Sequence, residues 1–323
     1  MYWKRGSMLA LMLAASGAAY AGTIGDPDDM YVLSDANSEV YQFERVSPWS
    51  HIPGNYPGSL APPYDYVFSN SAQCATNYPY LGAVAGTNDN LFVGGFNSVE
   101  MINATTGANI MSVAGGLRLG PAKAPNGNIV VGGPSGTEEY DSDTGAFVRN
   151  VQTSYGNGYN LHTFAGNTMY VVPWGFSAPG GGIQQYDFVT GNYLGTIAVP
   201  FAPQEIGFGP DGALYATALY EGAGVEGLWR YNSGSGSWSH FIDTTPLSGG
   251  GPHGFTYDPQ TLDLYMAFNT GEVHRFDPFS GAWLGQVAYV PTKLTDILFH
   301  VVVPEPATLS LLALGALAVL RRR

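Results

Sequence analysis

The sequence predicts an all-β protein in which six small antiparallel sheets close into a ring, a six-bladed β-propeller, with seven blades as the alternative. Three observations lead to this fold. The 323 residues include 44 glycines and 22 prolines, and only 11% are charged, a composition that is typical of short strands joined by tight turns rather than of helical bundles. A strand pattern recurs six times at a nearly even spacing. One further strand near the C-terminus has no partner within its own copy.

The recurring pattern is a string of five residues with an apolar or branched first residue, a bulky fourth and an acidic or amide fifth. The six strings are Val40–Glu44, Val99–Asn103, Thr137–Asp141, Ile183–Asp187, Leu228–Asn232 and Val273–Asp277. Their fourth positions lie 59, 38, 46, 45 and 45 residues apart. A unit of this period has the size of one propeller blade, and such units bury their faces only by stacking into a closed array.

Turn chemistry follows five of the six strings. Each continues with Asn or Asp, two residues, Thr or Ser, and then Gly, as in Asp187 to Gly191. An Asn or Asp side chain accepts hydrogen bonds from backbone N–H groups ahead of it, and Gly supplies the positive φ, so the motif predicts a hairpin turn. The first copy departs from the motif at Pro48, and residues 47–80 are too rich in proline for central strands. We expect an outer strand and a surface loop there.

The number of blades depends on how the ring closes. The first copy begins at Asp29 and lacks the inner strand that precedes the other copies, whereas the last copy is followed by the spare strand at 294–303. We predict that this strand completes the first blade and that the propeller domain spans residues 22–303.

Residues 1–21 have the features of a secretory signal peptide. Lys4 and Arg5 precede the apolar stretch Met8–Ala15, and the small residues Ala19 and Ala21 place the cleavage site after Ala21. Export favours disulfides, but Cys74 is the only cysteine, so it has no partner within the chain and is predicted to be a buried small apolar residue.

The C-terminal segment 304–323 combines three features in a fixed order. They are the motif Pro304, Glu305 and Pro306, the apolar residues 307–320, and the basic cluster Arg321, Arg322 and Arg323. The apolar run would form a short transmembrane helix, about 21 Å long against a hydrocarbon core of about 30 Å. A plain membrane anchor would need no Pro-Glu-Pro motif.

This tail resembles the PEP-CTERM sorting domain of Gram-negative bacteria that make exopolysaccharide, which is also labelled an ice-binding-protein C-terminal domain. The resemblance implies that an exosortase, a membrane transpeptidase, recognises and processes the tail. It also implies export across the inner membrane to the cell envelope, surface or extracellular matrix. Contact with the membrane is then expected only through residues 307–320, before processing.

The repeats resemble NHL-type propellers and their relatives, including the streptogramin-lyase and gluconolactonase groups, over about 270 residues. In such folds, sites gather where the innermost strands start, around the central channel. Aligned copies place Thr295 at the same register as three of the predicted ligand-binding residues, and Asp296 one position further, level with Glu205. The predicted ligand-binding residues are Arg118, Asn160, Gln204, His253 and Asp296.

No catalytic residue is assigned from the sequence, and the candidates for an enzymatic role are Glu205 and the Gly-flanked His253, whose imidazole we expect to be exposed. Streptogramin-lyase-like propellers place catalytic His and Glu residues with a divalent metal on such segments, and His253 and Glu205 are the corresponding positions. The chain departs from that pattern, since Asn, Gln and Thr occupy the position equivalent to His253 in most of the aligned repeats. No other metal motif occurs, and no cofactor is indicated.

Three possibilities remain open. One is a structural spacer that binds no ligand, which a channel blocked by apolar side chains would indicate, and the other two are functions. The first is a non-catalytic binding module associated with exopolysaccharide or an envelope protein, and the second is a metal-dependent lyase or lactonase acting at the channel mouth. The net charge of −13 disfavours nucleic acid as a partner.

Overall fold

The computed structural model describes residues 29–34, 38–45, 66–73, 82–95, 98–104, 106–115, 119–133, 136–152, 160–173, 182–219, 224–247 and 251–299. These residues form 24 strands in six four-stranded antiparallel sheets and no helix. Each sheet is one blade, so the prediction of an all-β propeller with six blades is confirmed.

The blades are named from the inner strand outward. Blade 1 consists of β24 (Leu294–Phe299), β1 (Met30–Ser34), β2 (Glu39–Arg45) and β3 (Tyr66–Gln73). Blade 2 consists of β4 (Ala83–Ala85), β5 (Asn90–Gly94), β6 (Ser98–Asn103) and β7 (Asn109–Gly115). Blade 3 consists of β8 (Leu119–Lys123), β9 (Ile129–Gly133), β10 (Gly136–Tyr140) and β11 (Phe147–Gln152).

The second half of the ring repeats the same order. Blade 4 consists of β12 (Asn160–Ala165), β13 (Thr168–Pro173), β14 (Ile183–Asp187) and β15 (Tyr193–Ile197). Blade 5 consists of β16 (Pro203–Phe208), β17 (Leu214–Ala218), β18 (Gly227–Asn232) and β19 (Ser237–Asp243). Blade 6 consists of β20 (Pro252–Tyr257), β21 (Leu264–Phe268), β22 (Glu272–Phe276) and β23 (Trp283–Tyr289).

The two ends of the described chain meet in blade 1. β24 pairs antiparallel with β1, and the register places Ile297 opposite Val32 and Phe299 opposite Met30. The inner strands contact one another in the circular order β24, β4, β8, β12, β16, β20 and back to β24. Closure therefore leaves no gap in the ring, and the six inner strands surround a central channel.

The hydrophobic core is divided among the contacts between blades. Six clusters of buried residues occur in the described chain, one for each pair of neighbouring blades. The second strand of a blade packs on both sides, and all five residues of β21 are buried as a result. This double burial explains why these strands are nearly continuous apolar runs in the sequence.

The Asx–Gly motif forms the hairpin turn between the third and fourth strands, as predicted. In blade 4 the Asp187 Oδ1 atom accepts hydrogen bonds from the Thr190 backbone N–H at 2.7 Å and from the Thr190 hydroxyl at 2.8 Å. Gly191 follows with a φ of 73°. The side-chain bonds satisfy turn donors that the sheet cannot reach.

The alternating strand directions give the propeller two different faces. The Asx–Gly hairpins and the turns between first and second strands lie on one face, which we call the turn face. The connections into the inner strands start from the opposite face, which we call the loop face. The inner strands thus begin at the loop face and end at the turn face.

Several predictions concern residues outside the described ranges. They are the signal peptide with its cleavage after Ala21, Cys74, the boundary at residue 303, and the sorting tail with its transmembrane helix. Among the described residues, no helix has the length and apolar character that crossing a membrane requires.

Candidate functional site

A cavity of about 420 Å³ occupies the centre of the ring, and residues of all six inner strands or their immediate flanks line it. Its wall combines apolar and polar groups, with Phe164, Phe255 and Phe299 as the largest side chains. Two carboxyl groups, those of Glu205 and Asp296, lie in the same wall. A concave site that combines apolar surface with a few polar groups is typical of small-molecule binding.

Asp296 is held in place by backbone groups from two blades. Its Oδ2 atom accepts a hydrogen bond from the Ala83 N–H at 2.8 Å, and its Oδ1 atom accepts one from the Ile297 N–H at 2.7 Å. On the third side lies Gly254, where a Cβ atom would come within 2.6 Å of Oδ1. The carboxyl therefore joins β4 to β24, and only a glycine fits beside it on β20.

Burial raises the pKa of Asp296 to about 7, although the two backbone N–H donors act in the opposite direction. The cause is the loss of hydration, because the side chain is 5% exposed. A carboxyl with such a pKa exists in both protonation states near neutral pH.

Glu205 belongs to β16, and its half-buried side chain lines the same cavity. Burial raises its pKa well above the usual range, the negative charge of Asp296 raises it further, and the Ile206 backbone N–H opposes both effects. Two carboxyls that repel each other in a poorly hydrated site do not both ionise readily. The pair therefore favours sharing one proton near neutral pH.

The expectation that His253 is exposed is wrong. Its side chain is buried, with 2% exposure, and it is not among the residues that line the cavity. The flanking glycines serve close packing instead, since a Cβ on Gly251 would lie 3.3 Å from the Ala218 carbonyl oxygen and one on Gly254 would clash with Asp296. Without side chains at these positions, β20 fits closely between its neighbours and the imidazole is enclosed.

The surroundings of His253 keep its imidazole neutral. Burial lowers its pKa to about 3, and the nearby positive charge of Lys293 contributes to this, while a hydrogen bond with Asn269 acts against it. The His253 carbonyl oxygen accepts a hydrogen bond from the Thr217 hydroxyl at 2.9 Å. These contacts give His253 a packing role between blades rather than a place at the channel surface.

The remaining predicted residues have different positions. Gln204 is half-buried in β16, next to Glu205 but not among the residues that line the cavity. Asn160 begins β12, and its side chain is not described. Arg118 lies outside the described residues. Thr295 is buried, and its hydroxyl donates to the Leu33 carbonyl oxygen at 3.3 Å.

His162 is buried and hydrogen-bonded through both ring nitrogens. Its Nδ1 atom lies 3.0 Å from the Gly120 carbonyl oxygen, which can only accept, so Nδ1 carries the proton. Its Nε2 atom lies 2.9 Å from the Thr137 hydroxyl, which then donates to it. Burial lowers the pKa of His162 to about 4, so the imidazole is neutral near pH 7. His162 itself lines the cavity.

Sequence reasoning missed the part of the cavity that lies nearer the turn face. Thr163, Lys123 and Phe299 line it, and they lie in the middle or at the end of inner strands rather than at their start. Aligning whole inner strands, instead of their first two positions, is the signal that would have found them.

The described part of the chain does not provide a metal site. No group of three His, Cys, Asp or Glu side chains is placed to hold an ion there. Glu205 and Asp296 supply only two carboxyl groups to the cavity wall. A divalent ion in a protein needs more oxygen ligands than this pair offers.

The C-terminus matches the family model described as the PEP-CTERM protein-sorting motif over residues 302–323. This chain carries a PEP-CTERM sorting motif. The motif implies processing by an exosortase, and it indicates export to the cell envelope or surface of a Gram-negative bacterium.

The propeller is similar to a solved structure of a gluconolactonase from Xanthomonas campestris, important in glucose secondary metabolic pathways. The TM-score is 0.52 at 16% sequence identity, and the match covers 68% of this chain and 80% of the other. At this identity the similarity concerns the fold alone. No curated protein sequence matches the chain significantly.

Proposed function

We propose that this PEP-CTERM protein is an extracellular binding module associated with exopolysaccharide, and that its ligand is a small saccharide unit held in the central channel. The observation that carries the proposal is the cavity of about 420 Å³ with Glu205 and Asp296 in its wall. This volume falls within the range of about 300–1,000 Å³ that is usual for small-molecule sites. Carboxyl groups suit the hydroxyl donors of a sugar, and the aromatic side chains suit its apolar faces.

The cavity is better equipped for binding than for turnover. Asp296 is engaged by two backbone donors, and both nitrogens of His162 have partners. Among the described residues that line the cavity, no Ser or Cys nucleophile with an adjacent base occurs, which is the arrangement that covalent acyl transfer uses.

A channel-filling variant tests the proposal. Thr163 lines the cavity, so Thr163→Trp should occupy the space that the ligand needs. We expect the purified protein to bind members of a panel of neutral, acidic and amino saccharides by calorimetry. The variant should lose at least tenfold in affinity while its circular dichroism spectrum is unchanged. If the unmodified protein binds no saccharide of the panel and does not bind the producer's exopolysaccharide, the proposal is refuted.

The second candidate function is a metal-dependent lactonase or lyase at the channel mouth. The similarity to a gluconolactonase propeller and the presence of a carboxyl with a raised pKa favour it, because such a group can act as a general acid or base. Metal analysis of the purified protein, thermal melts with and without chelator, and an assay of gluconolactone hydrolysis would test it. A stoichiometric metal with a melt lowered by chelation would favour catalysis over binding alone.

A further inference from the structure

The channel carboxyls have no cationic partner among the described residues. The ion pairs of the described chain join Arg149 to Glu139, Arg230 to Asp211 and Arg275 to Asp263, all away from the cavity. Glu205 accepts a hydrogen bond from the Ile206 backbone, and no described side chain donates to it. A carboxylate in a poorly hydrated cavity is stabilised by a cationic partner, and the described residues supply none to this pair.

The other charged and titratable groups around the pair do not supply the missing charge. On β8, Lys123 lines the same cavity but directs its Nζ atom to the Gly86 carbonyl oxygen at 3.2 Å. On β12, His162 is neutral and hydrogen-bonded on both nitrogens. On β20, His253 is buried beside Asn269, and Lys293, just before β24, lies near that imidazole. From β4 only the backbone of Ala83 reaches Asp296.

We infer that the channel selects a saccharide or polyol that carries a protonated amine, with the ammonium placed between Glu205 and Asp296. The inference rests on the proposed function and names the ligand class for the same cavity. A primary ammonium offers three donors and no acceptor, which complements two carboxyls. The hydroxyl groups and the carbon skeleton of the ligand then contact Thr163, Thr256 and the surrounding aromatic rings.

Binding of such a ligand must be coupled to proton release. The raised pKa values of the two carboxyls favour one retained proton near neutral pH, whereas an ammonium between the carboxyls favours the state in which both are ionised. The proton that leaves goes to solvent. Affinity for the amine should therefore rise as the pH increases towards and past 7, by up to about tenfold per pH unit for one proton released. The affinity for a neutral polyol should not rise with pH in this way.

The experiment compares two probes that differ in one group. Glucamine (1-amino-1-deoxyglucitol) carries an alkyl ammonium that remains protonated over this range, and glucitol carries a hydroxyl in its place. We expect the full-length purified protein to bind glucamine at least tenfold more tightly than glucitol at pH 7.5. We further expect the preference to shrink at pH 5.5 and calorimetry in buffers of different ionisation enthalpy to show proton release.

Matched variants connect the effect to the channel. Glu205→Gln removes one charge with little change of shape and should lower the affinity for glucamine at least tenfold and flatten its pH dependence. The exposed Asp243, whose Oδ1 atom accepts from the Thr245 N–H at 3.0 Å on the outer strand of blade 5, is the control. Asp243→Asn should change neither quantity. Asp296→Asn is less informative, because an amide nitrogen cannot accept a hydrogen bond and the substitution removes one of the two bonds from backbone N–H groups that hold this side chain.

The outcomes separate the inference from the function on which it rests. Equal affinity for glucamine and glucitol, or a preference that Glu205→Gln leaves intact, would overturn the inference. Binding of neutral saccharides without binding of glucamine would overturn it as well, while the channel remained a saccharide site. If neither probe and no saccharide of the panel binds, both the inference and the proposed function fail.

Discussion

Gly254 matters both for the packing of β20 against β24 and for the position of the Asp296 carboxyl. A Cβ at this position would lie 2.6 Å from Asp296 Oδ1 and 2.8 Å from its Cα atom. We predict that Gly254→Ala destabilises the protein by about 1–3 kcal/mol, because β20 or β24 must shift to relieve the overlap. Urea unfolding measures this change. Gly115→Ala is the control, since no atom lies within 4 Å of the added methyl group. Equal effects of the two substitutions would contradict the close contact.

The carboxyl pair also predicts how stability depends on pH. The pKa of Asp296 is raised from 3.8 to about 7 in the folded protein, and that of Glu205 is raised as well. The folded state thus binds more protons than the unfolded state between pH 4 and 7, and the free energy of unfolding falls as pH rises through this range. The slope for one proton approaches about 1.4 kcal/mol per pH unit.

Urea unfolding at pH 5, 6 and 7.5 measures this slope. Glu205→Gln should make it shallower and should stabilise the protein at pH 7.5, since one of the two repelling carboxyls is removed. A slope that is unchanged in the variant would show that other groups cause the pH dependence.

At the scale of the element, the Asx–Gly hairpins hold neighbouring blades together as well as turning the chain. The hairpin of blade 4 lies against blade 3, where Arg149 donates hydrogen bonds to the Phe188 and Val189 carbonyl oxygens at 2.9 Å each. Gly191 also approaches the Val151 carbonyl oxygen so closely that an added Cβ would overlap with it.

Two glycines with the same backbone conformation separate these effects. Gly191 and Gly212 have φ values of 73° and 74°, but no atom lies within 4 Å of a Cβ added to Gly212. Gly212→Ala should cost about 1–2 kcal/mol from the left-handed conformation alone. Gly191→Ala should cost clearly more, because the contact with Val151 adds to that strain. Similar losses in urea unfolding would argue against a role of the hairpin between blades.

At the scale of the whole molecule, β24 both closes the ring and supplies Asp296. A chain that ends at Val290 leaves β1 without its inner partner and exposes an edge of the sheet. We predict that this truncated protein unfolds at a lower temperature and less cooperatively, and that it associates through the free edge. A synthetic peptide of residues 291–303 should restore part of the stability by pairing with β1. A truncated chain with an unchanged melt would mean that closure contributes little.

The repeat architecture was predictable because short stretches of neighbouring residues specify its strands and turns. The second strands are apolar runs, and the Asx–Gly turns need Asp187 and its equivalents at one offset. The spare strand had only the first blade to complete. Each of these signals depends on a few neighbouring residues, so a single sequence contains them. The sorting motif was predictable for the same reason, because it is a short continuous segment of the sequence.

For the site, the sequence predicted only its approximate position, near the starts of the inner strands around the channel. The aligned register placed Glu205 and Asp296 at the starts of inner strands, and the sequence therefore indicated where to look. Whether a side chain at that level faces the channel depends on how closely neighbouring blades approach. Gly254 allows β20 to approach β24, so His253 is enclosed between blades while the two carboxyls remain at the cavity wall. By itself the sequence determined the strands and the turns and favoured six blades over seven, because these follow from local patterns. Tertiary packing alone decided which polar groups share the channel, because that choice depends on contacts between strands about 40 or more residues apart.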